Sequence, residues 1–93
     1  MSGSFTDAET IDVSSVDWVP TKAAFTTAIN CRTSGTLYVD MVGTGWSAVG
    51  VIVPGSTNVP ITMVAGEVIQ LAIVKAHHTS STGTYTACYG PGL

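Results

Sequence analysis

Turn residues recur at short intervals along this chain: Ser34-Gly35, Gly43-Thr44-Gly45, Pro54-Gly55, Ala65-Gly66 and Thr82-Gly83, with apolar stretches between them. Gly and Pro punctuation at about ten-residue spacing, with no helix-period segment between, predicts short antiparallel strands. Leu37, Val39 and Met41 alternate with Thr36, Tyr38 and Asp40, a strand with one buried and one wet face. The expected strands are a bent one over 11–19, then 26–32, 36–42, 46–53, 59–64, 68–76 and 84–89. Thr33-Ser34-Gly35 and Ala65-Gly66 are expected to close hairpins. The apolar run 68–76 is expected to be a central strand covered on both faces. The fold class is therefore all-β, a small antiparallel sandwich or barrel of about seven or eight strands. Residues 1–10, polar and acidic, read as an N-terminal arm, and 11–93 as one β-domain.

Only 10% of the 93 residues are charged, where a soluble domain carries about 25%, and the net charge is -3. Hydrophobic residues make up 45%, enough for one two-layer core, while Ser, Thr and Gly supply most of the polar remainder. So weakly charged a surface suits a protein that packs against neighbours. The only basic side chains are Lys22, Arg32 and Lys75, too few for a phosphate backbone, so nucleic acid is not an expected partner. Met1–Asp7 has neither a basic region nor an apolar stretch, so no secretory signal is expected there, and no run approaches the roughly 20 apolar residues of a spanning helix. Folding in the cytoplasm and no membrane association are the corresponding expectations.

Catalytic patterns are weak. Gly45-Trp46-Ser47-Ala48-Val49-Gly50 misses the nucleophile elbow because its second glycine falls one residue late and no strand-turn-helix surrounds it. His77 and His78 could join Asp40 or a serine in a catalytic or metal cluster, but adjacent strand residues point to opposite faces and cannot chelate together, so they read as solvent or interface residues, or as one ligand of a metal shared at an oligomer axis. Asp7, Glu9, Asp12 and Asp17 read as solvated charges or intersubunit partners. Cys31 and Cys88 form no Cys-x-x-Cys unit and read as buried free thiols; a disulfide is the alternative if their strands pair. No cofactor, no metal and no enzymatic activity are expected. The aromatic residues Phe5, Trp18, Tyr38, Trp46, Tyr85 and Tyr89 are the interface candidates. The same Trp and Tyr side chains would alternatively make a sugar-stacking platform, as in a carbohydrate-binding or receptor-binding module.

Val19-Pro20-Thr21-Lys22-Ala23-Ala24, Ala28-Ile29-Asn30-Cys31, Ser34-Gly35-Thr36-Leu37-Tyr38-Val39, the apolar run 68–74, Thr82-Gly83-Thr84 and Ala87-Cys88-Tyr89 together resemble the head spike base proteins of gene transfer agents and related tailed-phage particles. The resemblance spans roughly residues 16–89. It implies a non-enzymatic virion protein, synthesised in the host cytoplasm, that sits on the capsid exterior as a homo-oligomer, a pentamer or a trimer. Its implied partners are further copies of itself, the major capsid protein and a spike or fibre protein; a trimeric decoration protein is a related role. In that setting the N-terminal arm would reach a neighbouring subunit.

Overall fold

The computed structural model describes residues 5–42 and 55–90. Within them lie seven strands and no helix: β1 (Asp7–Ile11), β2 (Ala28–Thr33), β3 (Gly35–Met41), β4 (Val59–Met63), β5 (Val68–Gln70), β6 (Ile73–His77) and β7 (Thr84–Tyr89). They form two sheets, ordered β1-β7-β2-β5 and β4-β3-β6, every pairing antiparallel. The fold is a small all-β sandwich.

The strand alternation read from β3 holds: Leu37, Val39 and Met41 are buried and Thr36, Tyr38 and Asp40 half-exposed. The other inner faces supply Ile29 and Cys31 from β2, Ile61 and Met63 from β4, and Tyr85, Ala87 and Tyr89 from β7. One core between the sheets is the result, as the pleat requires of strands with one apolar face each.

Four sequence expectations are corrected. The arm over 1–10 is a strand from Asp7 onward, because its backbone completes the free edge of β7 in the register Asp7↔Tyr89 to Ile11↔Tyr85. The strand expected over 11–19 ends at Ile11. There the Asp12 carboxylate accepts bonds from both the Ser14 N–H (3.0 Å) and the Ser14 hydroxyl (2.7 Å), a local turn that competes with the ladder.

The run 68–76 is not one central strand. It splits into β5 and β6, edge strands of opposite sheets. The chain crosses the sandwich at Leu71–Ala72, held by buried Thr26, whose hydroxyl donates to the Leu71 carbonyl (2.7 Å) and accepts from the Ile73 N–H (3.1 Å). The run is largely apolar, with Gln70 and Lys75 between, because its middle passes through the core rather than along a sheet's middle; Leu71, Ala72 and Ile73 are all buried.

Nor do Ser34-Gly35 and Ala65-Gly66 close hairpins, since each joins strands of different sheets. At the first of these corners two backbones cross in close contact. A Cβ on Gly35 would lie 2.4 Å from the Thr82 carbonyl oxygen, and one on Gly83 would lie 2.5 Å from the Thr33 carbonyl oxygen. Only glycine admits that approach. The strand expected over 46–53 lies outside the described residues.

Candidate functional site

The connection from β1 to β2, residues 12–27, runs as a strap along one side of the sandwich. Trp18 exchanges backbone hydrogen bonds with Ala76 on the edge of β6 (2.9 and 2.8 Å). Thr21, further on, donates its N–H (3.0 Å) and hydroxyl (2.8 Å) to the Glu9 carboxylate on the edge of β1. The strap thus blunts the edge of β6 with backbone bonds and is tied to β1 through the Glu9 side chain. Its outer side carries Val16, Val19 and Phe25, exposed to 65, 53 and 46%.

Where the strap meets β6, acidic and imidazole groups converge. Asp17 accepts from the His78 backbone N–H (2.9 Å) and from His78 Nδ1, with Lys75 Nζ at 3.5 Å and His77 Nδ1 at 3.8 Å. The His78 N–H and ring, helped by Lys75, hold the Asp17 carboxyl far below its ordinary range. His77 turns its other nitrogen to Asp40, Nε2 to Oδ1 at 2.6 Å, and the Asn58 N–H donates to the same Oδ1 at 2.8 Å. Burial pushes the Asp40 carboxyl up, but His77, the Asn58 N–H and Lys75 outweigh it, and the net shift is downward. The two adjacent histidines therefore share Asp17. Strand β6 ends at His77, so the opposite-face argument made from the sequence does not apply to His78.

Beside this network a cleft of about 450 Å³ opens between β3, the turn before β4 and the loop after β6. Tyr38, Asp40, Thr57, Asn58, His77 and Ser80 line it. The β3–β6 register creates it, setting His77 opposite Tyr38 and Lys75 opposite Asp40, so that Asp40 meets His77 diagonally. Among the described residues no three His, Cys, Asp or Glu side chains come together as a metal site.

The aromatic candidates separate. Tyr85, Tyr89 and Trp18 are buried in the chain's own core at 1, 4 and 8% exposure, which corrects their reading as interface anchors. The Tyr85 hydroxyl donates to the Thr82 carbonyl three residues upstream (2.7 Å), the geometry of a tyrosine corner, and burial pushes its pKa up to about 12. Tyr38 is half-exposed and faces the cleft, Phe5 is half-buried just before β1, and Trp46 lies outside the described residues. Cys31 and Cys88 are buried free thiols. They sit three positions apart in the β2 register, opposite Tyr85 and Ala28, and burial pushes both thiols up. Asn58 is the residue of this network that sequence reasoning missed, while Asp17, read as a solvated charge or intersubunit partner, instead receives the His78 N–H and ring within its own chain. Asp40 read from the sequence as a wet-face position of β3 and as a possible partner of the histidines, and the structure does pair it with His77.

No protein-family model, no curated protein and no solved structure matches the chain.

Proposed function

We propose that this chain is a structural accessory protein of a tailed-phage-like particle, docking on the capsid exterior as an oligomer and serving as a spike base or decoration subunit. The observation that carries the reading is the strap: it exposes Val16, Val19 and Phe25 together along one connection of a domain with so few charges. Such side chains are the anchors a docking surface needs. The charges do little to repel a neighbour, for Lys22 lies 3.5 Å from Asp7 and Lys75 3.5 Å from Asp17, while Arg32 reaches the Thr86 hydroxyl at 3.4 Å. With Trp18, Tyr85 and Tyr89 committed to the core, the strap and Phe5 are the surface this reading assigns to the capsid or to a sister copy. The role needs no catalytic residue.

The test is co-sedimentation with purified heads of the parent particle, paired with light-scattering mass in solution. Saturable binding that is lost in Val16→Ser/Phe25→Ser, with the fold retained, is the expected result. Heads that bring down no protein would end the reading.

A further inference from the structure

Independently of capsid docking, the cleft beside β3 has the chemistry of a ligand site. We propose that it binds a neutral sugar, one ring of a glycan, seated against Tyr38 and hydrogen-bonded by Asp40.

The lining decides the class of ligand. An anion would face the Asp40 carboxylate, with that of Asp17 close behind His77. A metal ion would need a ligand set that the described residues do not assemble. A purely apolar ligand would strand the Thr57, Asn58 and Ser80 side chains and the Asp40–His77 pair against hydrocarbon. A pyranose matches what is there. Its hydroxyls both donate and accept, as a carboxylate, an amide, an imidazole and hydroxyls demand, while its C–H face packs on an aromatic ring.

The site is also built in advance. Asp40 is held from two sides through Oδ1, by the Asn58 N–H at 2.8 Å and His77 Nε2 at 2.6 Å; among the described residues no hydrogen bond reaches Oδ2. That oxygen is the acceptor a sugar hydroxyl would meet. The two non-glycine residues with positive φ among the described residues, Asn58 at 54° and Ser80 at 68°, both belong to this cleft. Left-handed backbone is uncommon for serine, and strain of that kind collects where a structure holds groups ready for a partner. The Tyr38 backbone is fixed in turn by its N–H bond to the Ser81 hydroxyl (3.0 Å).

A shallow single-sugar site holds its ligand with a Kd on the order of 1–10 mM. The experiment is a ¹H–¹⁵N NMR titration of the full chain with methyl glycosides of glucose, galactose, mannose and N-acetylglucosamine, then with their oligosaccharides. Saturable shifts confined to the amides of Asp40, Asn58, His77 and Ser80 are expected with at least one of them. Asp40→Asn and Tyr38→Leu should weaken binding about tenfold, and Arg32→Gln on the other sheet should leave it unchanged. If Asp40→Asn loses the native spectrum, Thr57→Val and Ser80→Gly carry the test at the cleft rim. No saturable shift with any sugar, shifts centred elsewhere, or rim variants that bind like the parent would overturn the inference and leave capsid docking untouched.

Discussion

The Tyr89 hydroxyl donates to the Glu9 carboxylate across β7 and β1, Oη to Oε2 at 2.5 Å, while the same carboxylate accepts the N–H and hydroxyl of Thr21 on the strap. One side chain thus ties the first strand, the last strand and the covering segment together. Burial pushes the Glu9 carboxyl up, but Tyr89, Thr21 and Trp18 hydrogen bonds outweigh it and bring it down; burial and Glu9 both push the Tyr89 phenol up. Glu9→Gln keeps the shape and removes the charge that strengthens these bonds, so it is expected to cost about 1–3 kcal/mol in urea unfolding. Tyr89→Phe in the Glu9→Gln background should cost less than in the parent, a coupling that a double-mutant cycle reads directly.

At the crossing of the two sheet corners, substitution meets backbone on both sides. Gly83 has φ 84° and no room beside Thr33, so Gly83→Ala combines conformational strain with a clash and is expected to cost about 3 kcal/mol or more. Gly66 shares the positive φ, at 90°, but faces open space, so Gly66→Ala should cost only about 1–2 kcal/mol. Urea midpoints of the two variants, compared in one buffer, check the ranking.

Among the described residues Thr26 is the one buried residue outside the hydrophobic set, and its hydroxyl satisfies a carbonyl and an N–H at the place where the chain changes sheets. Thr26→Val retains volume and strands both partners, with an expected loss of about 2–4 kcal/mol. Thr26→Ser keeps the hydroxyl and should recover more than half of that loss in the same unfolding assay.

Acid should weaken the fold through its carboxylates. Asp17, Asp40 and Glu9 all titrate below their ordinary values of 3.8, 3.8 and 4.5 in the folded chain. A lowered folded pKa gives stability that is complete above the unfolded value and is lost as pH falls through the folded one. Chemical-denaturation midpoints should therefore change little, as far as these groups are concerned, from pH 7 to about 5 and fall steeply below about 4. Asp17→Asn, which removes the most depressed of the three, should flatten that fall.

How far the residues foretell this architecture depends on which forces are local. Alternation along β3 is written in the chain, because the strand has one face in the core and a period of two follows from the pleat. The corners are not. A Ser-Gly pair turns a chain back into its own sheet or hands it to the opposite one with the same residues, and the choice at Ser34-Gly35 is made by the distant Thr82-Gly83 backbone. The run 68–76 misleads for a related reason: hydrophobicity reports burial, and a segment threading the core is as buried as a middle strand. The cleft was hidden more deeply still. Asp40, Asn58 and His77 become neighbours only through the β3–β6 register and the turn before β4, neither of which leaves a mark in local sequence.

The pairing of β1 with β7 has a mechanical consequence. Asp7 and Tyr89 lie opposite each other, so the chain enters the first strand and leaves the last at the same pole of the sandwich. Tension applied through those two points does not shear the ladder as a set; it loads the outermost pair, then the next, in the manner of a zipper. A partner fastened to both ends would peel the sheet open with little force, whereas a load carried across the strap would spread over the Trp18–Ala76 bridge and the Glu9 contacts at once. Attachment along the side of this domain is the stronger way to hang weight on it.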